Sequence, residues 1–220
     1  MSADEDREPG SRSRFQFDPN RARERAREAW SKSEFLLSRA WGLLTETKKE
    51  WGQIKAEETS IPAILIGYVA PLAAIPPVCG IIGAYVFGTR AGETVLRPPI
   101  GEAITSGVTT WLVSVALVAL LGFLINAVAD QFDADRDDLA AQKVAAYSLT
   151  PAFLSGVFSL WPPLWWLSLF ALAAMVFLMY RGLPILMNAP EDRALGYAAT
   201  ITIAALVSGV VLFALASCVG

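Results

Sequence analysis

Charged residues are confined to a few parts of this chain, and the stretches between them are long and apolar. Four stretches contain no Asp, Glu, Lys or Arg, and they cover residues 59–89, 103–129, 144–180 and 194–220. A helix needs about 20 predominantly apolar residues to cross the hydrocarbon core of a bilayer, so each stretch is long enough to span it. The pattern therefore predicts an all-α integral membrane protein.

The third stretch is too long to cross once, because its 37 residues would form a helix of roughly 55 Å. Its middle contains Trp161-Pro162-Pro163, which predicts a break with Trp at the headgroup level. This gives a bundle of five transmembrane helices. The break divides the third stretch into a helical hairpin. The first half of this hairpin is the least apolar of the five predicted spans, so a protein with four crossings remains an alternative. The predicted spans are residues 61–88, 103–129, 144–161, 163–180 and 195–219.

The region before the spans is polar. Residues 1–20 have the composition of a disordered tail, and residues 21–58 are predicted to form a cytoplasmic amphipathic helical region ahead of a membrane domain at 59–220. Trp41 and Trp51 lie on its apolar stripe. This helix either lies in the headgroup plane, held by its indoles and basic residues, or packs on the ends of the spans. Ser60 and Pro62 are expected to begin the first span.

Composition narrows the class of protein further. The chain is 54% apolar and 18% charged, against roughly a quarter charged in soluble domains. It contains no His, which removes His-ligated zinc and Ser-His or Cys-His nucleophiles. We expect no enzyme, cofactor or metal site, and no nucleic-acid partner because acids match the basic residues of the N-terminal region one for one.

Basic residues also predict the orientation. With five spans and a cytoplasmic N-terminus, the cytoplasmic loops carry Arg136, Lys143, Arg181 and Arg193, and the opposite side carries Arg90 and Arg97. The positive-inside rule favours this arrangement. It places the C-terminus in the periplasm if the membrane is a bacterial inner membrane.

No ionisable residue lies in the middle of a predicted span, which argues against a proton- or ion-coupled transporter. A small channel or transporter would need a polar path through the spans. Its lining would be Pro71, Pro76, Pro77, Thr105, Thr109, Ser114 and Asn126. An interhelical hydrogen bond is the favoured interpretation of Asn126.

Small residues recur every four positions in two spans, which lets helix backbones approach closely. The residues are Gly80, Ala84, Gly88, Ala205 and Gly209. Packing within one bundle is favoured over a homo-oligomer interface.

The second loop is acidic. Asp133, Asp135 and Asp137 have the spacing with which an EF-hand loop begins. An EF-hand loop also needs Gly at its sixth position and Glu at its twelfth. This chain has Asp138 and Val144 at those two positions. A solvated acidic loop is therefore favoured over a cation site.

Two segments carry a resemblance to a known family. They are "QKVAAYSLTPAFLSGVFSLWPPLWW" and "FLMYRGLPILMNAPEDRALGYAATI", in which Ala-Tyr-Ser-x-Thr-Pro and Tyr-x-Gly-Leu-Pro are distinctive. Together with "RAWGLLTETKKEWGQIKAEETSI" they resemble the Yip family of Ypt/Rab-interacting membrane proteins, particularly its bacterial branch. The resemblance covers roughly residues 39 to 215. It implies five spans and a cytosolic N-terminus, and it assigns no catalytic residue.

These observations favour a non-enzymatic scaffold or membrane-organising protein that acts through its cytoplasmic face. Its partners would be the lipid bilayer and a membrane or cytoplasmic protein. Charged loop residues on a rigid helical scaffold are where recognition usually lies. The candidate interaction residues are Trp41, Trp51, Arg181, Asp192 and Arg193.

Overall fold

The computed structural model describes residue 34 and residues 38–91 and 94–219. Contacts divide the chain into two compact units, Met1–Leu37 and Ser38–Gly220, and all the elements named below belong to the second. The predicted disordered tail and the first part of the predicted amphipathic region lie outside the described residues.

Two short helices precede the first span. Helix α1 covers residues 38–45 and α2 covers Thr47–Ala56, with a bend at Glu46 between them. Helix α3 then runs over Ile61–Phe87. The Ser60 side chain accepts a hydrogen bond from the Ala63 amide at 3.4 Å, and a proline occupies the first turn. A helix therefore begins where Ser60 and Pro62 predict it.

Helix α3 is irregular along its length. A π-helical turn at Leu65–Val69 is followed by α-helical segments at Ala70–Ala73 and Ile75–Phe87. The Ala74 amide, which would pair with the Ala70 carbonyl in a regular α-helix, donates to the Leu72 carbonyl. The Ala70 carbonyl instead accepts a hydrogen bond from Trp111 Nε1 at 2.8 Å. The irregular backbone is thus satisfied by a side chain of the next helix.

A small antiparallel hairpin joins the first two spans, with β1 at Thr89–Ala91 and β2 at Thr94–Leu96. Helix α4 follows at Ile100–Val128 and continues as a 3-10 turn to Phe132. Its end packs against α8, the last helix, which covers Glu191–Val219. There the rings of Phe132 and Tyr197 stack with centroids 4.6 Å apart.

The third predicted span differs from the expected single helix. Helix α5 at Asp138–Ser148 and helix α6 at Thr150–Leu154 lead into a 3-10 segment at Ser155–Leu160. Pro151 lies in the first turn of α6, and a proline there breaks the continuous helix. A second 3-10 segment, Pro162–Leu167, leads into helix α7 at Ser168–Met187. The predicted break at Trp161 is present.

Within the part of the chain that the structure describes, four helical stretches are long and apolar enough to cross a membrane: Ile61–Phe87, Ile100–Phe132, Ser168–Met187 and Glu191–Leu215. They correspond to four of the five predicted spans. The remaining segment, α5 to Leu160, is the most enclosed part of the bundle, since residues 140–151 are all buried. Its polar side chains account for its low hydropathy, because Gln142, Ser148 and Thr150 point inward.

Glycines bring this central segment against its neighbours. A side chain on Gly83 would collide with the Ser159 carbonyl, and one on Gly156 would lie 2.6 Å from Pro76 Cα. Gly83 is four residues from the end of α3, so the segment that begins at Asp138 extends along most of that helix. Close helix contacts in membranes use small residues in this way.

Candidate functional site

One end of the bundle gathers the polar chemistry of the described chain. The Asp135 amide donates to the Met187 carbonyl at 2.8 Å, and Arg193 pairs with Asp133 at 2.7 Å. These contacts join the end of α4 and the start of α5 to the turn between α7 and α8. Helix α2 packs on the same end, which is called the docking end below.

Trp51 anchors α2 to this end. Its side chain is fully buried and lies over Gly182 of α7, where an added Cβ would come 2.7 Å from the indole Cζ2. The Tyr147 ring meets the indole edge-on, with centroids 6.4 Å apart. Any side chain at position 182 would displace the indole, so glycine is required there. The packed alternative for the amphipathic region therefore holds at Trp51.

Tyr147 is the centre of the cluster. Its ring lies 4.4 Å from that of Tyr68, and the Tyr68 hydroxyl is 2.7 Å from Thr150 Oγ1. Because Thr150 donates to the Tyr147 carbonyl at 2.8 Å, the Tyr68 hydroxyl is the donor to Thr150. The two sequence motifs, residues 146–151 and 180–184, therefore meet in space around Trp51.

Arg39 fastens α1 to α2. Its guanidinium contacts Glu50 at 3.3 Å and Glu57 at 2.8 Å, and it lies 5.8 Å from the centroid of the Tyr147 ring. The Arg39 side chain is only 10% exposed. Partial burial strengthens such contacts relative to a fully solvated ion pair.

Two lysines join α2 to other helices through backbone carbonyls. Lys143 of α5 is buried and donates to the carbonyls of Ile54 and Glu57, each at 2.7 Å. A cation at the C-terminal end of a helix is favoured by its dipole. Burial lowers the pKa of Lys143, while the carboxylates of Glu57 and Asp137 act in the opposite direction.

Lys55 makes the reciprocal contact from α2 to α7. It donates to the Ile185 carbonyl at 2.6 Å and to Asn188 Oδ1 at 3.1 Å. Helix α2 is thus held by a buried aromatic residue and by cations that reach across in both directions.

The carboxylates of the acidic loop, residues 130–138, fix its conformation through ion pairs and hydrogen bonds. Asp130 pairs with Arg136, Asp133 with Arg193, and Asp135 accepts from Asn188. Asp137 caps α5 through the amides of Leu139 and Ala140. Asp138 accepts from Asn126 Nδ2, which is the interhelical bond favoured for that asparagine. Each carboxylate therefore has a structural partner, and among the described residues no group of three acidic or thiol side chains could hold a metal ion.

The structure separates the predicted interaction residues. Trp51 is buried, whereas Trp41 is 70% exposed. Arg181, Asp192 and Arg193 are all exposed at the docking end. Arg193 binds Asp133, and Arg181 lines a depression with Lys48. These exposed residues share one end of the molecule.

The predicted packing glycines and alanines have different surroundings. Gly80 and Ala84 line a groove of about 380 Å³ between α3 and α4. Gly88 ends α3 with a φ of 70°. Ala205 is half-buried, and an added Cβ on Gly209 would lie 3.6 Å from the Leu117 side chain. The closest approaches of a neighbouring backbone occur instead at Gly83, Gly122 and Gly156.

Some important residues were missed from the sequence, although each left a signal. Gly182 is the central residue of the Tyr-x-Gly-Leu-Pro motif. Lys143 is the lone cation directly before an uncharged stretch of 37 residues. A charge in that position marks where a segment enters the bundle.

Long apolar helices packed around a buried central segment define a multi-pass α-helical membrane protein. The chain belongs to the Yip1 domain family, whose match covers residues 41–213. This range begins at Trp41 and includes α2, so the docked helix is part of the family domain. The predicted family relationship is confirmed.

Curated relatives point to the same family. The chain is 31% identical over 182 residues to the inner membrane protein YohC of Escherichia coli strain K12. The aligned residues cover 80% of this chain and 93% of the relative. The same values apply to YohC of Escherichia coli O6:H1 strain CFT073. No solved structure matches the chain.

Proposed function

We propose that this protein is a non-enzymatic scaffold or membrane-organising protein of a bacterial inner membrane, acting through the docking end. The observation that carries the proposal is the fixed platform built there from α1, α2 and the loops. Buried Trp51 and the two lysines Lys55 and Lys143 hold this platform to the spans, while Arg181, Asp192 and Arg193 remain exposed. Recognition surfaces are commonly built from loops on rigid scaffolds.

The docking end is assigned to the cytoplasm. It carries the loop cations Arg136, Lys143, Arg181 and Arg193, as the positive-inside rule requires of the cytoplasmic side. The central segment leaves this end at Asp138 and contacts Gly83 near the other end of α3. This contact supports the proposal of a fifth crossing, and we propose with it that the C-terminus lies in the periplasm.

The test is capture of a native partner. The tagged full-length protein is purified in mild detergent, and accompanying proteins are identified for the wild type and for a variant with Arg181→Ala, Asp192→Ala and Arg193→Ala. We expect the triple variant to insert and accumulate normally but to lose the partner. A matched variant at the other end, Arg97→Ala with Glu102→Ala, should retain it. Loss of the partner only in this second variant contradicts the proposal.

A second candidate is a small channel or transporter for a solute or lipid. The groove of about 380 Å³ between α3 and α4 favours it, since Glu102, Ser106 and Thr110 give this lining some polar character. Purified protein in sealed vesicles should then conduct or flip a substrate, and Glu102→Gln should reduce the rate. The scaffold proposal expects no such flux.

A further inference from the structure

The two flanks of the α1–α2 platform differ in charge and apolarity. At 3.6 residues per turn, Trp41, Leu44 and Lys48 fall on one flank, and Glu46, Glu50 and Glu57 fall on the other. The hydrogen bonds from the Glu46 amide to Gly42 and from the Glu50 amide to Glu46 carry helical spacing through the bend. Trp41 and Leu44 are 70% and 46% exposed. One flank is therefore basic and apolar.

This basic flank meets α7 at Arg181. Lys48 and Arg181 line the same small depression, of about 60 Å³, together with Tyr180, Pro184, Ile185 and Glu191. Among the described residues, neither Lys48 nor Arg181 forms an ion pair within 4 Å, although Glu191 lines the same depression. Two exposed cations from different helices thus line one depression.

The position of Arg181 along α7 indicates which part of the membrane the two cations contact. Arg181 lies six residues before the end of the apolar helix Ser168–Met187, which is about 9 Å along the axis. The helix has 20 residues and therefore needs nearly its whole length to cross about 30 Å of hydrocarbon. An exposed arginine near the end of such a helix extends its charge toward the lipid headgroups.

We infer that Lys48 and Arg181 bind the phosphate of an anionic lipid headgroup, with Trp41 and Leu44 inserted beside it at the interface. Arg and Lys both donate strong hydrogen bonds to phosphate oxygens, and Trp favours the headgroup level. The inference deepens the proposed function, on which it rests, by naming the lipid chemistry that the docking end takes.

The test uses the purified full-length protein in phosphatidylcholine vesicles. Phosphatidylglycerol with brominated chains is added at increasing mole fractions, and quenching of tryptophan fluorescence is recorded; brominated phosphatidylcholine is the neutral comparison. We expect the wild type to prefer phosphatidylglycerol. Lys48→Gln with Arg181→Gln should weaken that preference about 25-fold, from about fivefold for each cation.

The matched control is Lys49→Gln with Arg136→Gln, which removes the same charge from cations paired with Glu46 and Asp130. It should keep the preference, as should Lys48→Arg with Arg181→Lys. Trp41→Phe should remove most of the phosphatidylglycerol-specific quenching, because that indole lies beside the bound lipid. The melting temperature of each variant confirms that it is folded.

Four results would overturn the inference. These are no preference in the wild type, an unchanged preference in the Lys48 and Arg181 variant, an equal loss in the control variant, or phosphatidylglycerol-specific quenching that survives Trp41→Phe. Displacement of the lipid by inorganic phosphate alone would show a free phosphate site instead. Because the vesicles contain no partner protein, failure here is distinct from failure of the scaffold proposal, which Asp192→Ala with Arg193→Ala tests without touching Arg181.

Discussion

At the scale of single residues, the docked helix depends on a position that has no side chain. Gly182 leaves the space that the Trp51 indole fills, and Tyr147 closes the other side of that ring. A fully buried Trp contributes a large apolar area to stability. The packing of α2 on α7 therefore depends on Gly182 as well as on Trp51.

Gly182→Ala should destabilise the protein by about 1–3 kcal/mol, because the new methyl group overlaps the indole. Trp51→Ala should cost about 3–5 kcal/mol through the cavity that it leaves. Thermal unfolding in detergent, followed by near-ultraviolet circular dichroism, measures both effects.

Gly52→Ala is the matched control, since Gly52 lies on the exposed side of α2 and nothing approaches its Cβ position within 4 Å. It should be neutral or slightly stabilising, because Ala has the higher helix propensity. Equal destabilisation by Gly182→Ala and Gly52→Ala would show that the Trp51 contact has little importance.

At the scale of elements, hydropathy predicted the four long apolar helices well and the central segment poorly. A run of uncharged residues reports where a helix can lie, because transfer to hydrocarbon depends on composition. It does not report that Gln142 would donate to the Val118 carbonyl or that Pro151 would divide α5 from α6. Polar residues that pair inside the bundle lower the apolar signal of a segment that is nonetheless buried.

The candidate site shows the same limit. The sequence indicated that Trp41 and Trp51 share an amphipathic region, and both alternatives for that region were open. The choice depends on Gly182, which is 131 positions from Trp51 along the chain. Only the fold brings the two residues together, so the local pattern could not decide between them.

The irregular turn of α3 gives a prediction at this scale. Trp111→Phe removes the hydrogen bond to the Ala70 carbonyl and should cost about 1 kcal/mol, measured by thermal unfolding in detergent. Ser114→Ala should cost less, because the Ser114 hydroxyl bonds only to Thr110 of its own helix, and Thr109→Val is expected to be equally mild. A larger loss in Ser114→Ala than in Trp111→Phe would contradict this account.

At the scale of the whole molecule, the docking end and the C-terminus are expected on opposite sides of the membrane. In the proposed topology, five segments cross the membrane from α3 to α8, so an odd number of crossings separates the two ends of the chain. The unequal distribution of loop cations then sets which side is cytoplasmic.

Cysteine labelling in intact cells tests this topology. In a Cys79→Ala background, a membrane-impermeant thiol reagent should label Cys218 without lysis. A cysteine introduced by Glu58→Cys should become reactive only after the cells are opened. The opposite pattern, or labelling of both sites in intact cells, would rule out five crossings with a cytoplasmic N-terminus.

The burial of the central segment has a consequence for biosynthesis. A ribosome delivers residues 138–160 to the translocon before α7 and α8 exist, yet the segment is too polar to partition into lipid readily by itself. The segment is therefore expected to remain in an aqueous or protein-lined site until α7 packs against it. A nascent chain arrested after this segment but before α7 has left the ribosome should leave the segment accessible to an impermeant probe. A chain extended at its C-terminus and arrested after α7 has emerged should protect it, so membrane integration is expected to proceed by helical pairs.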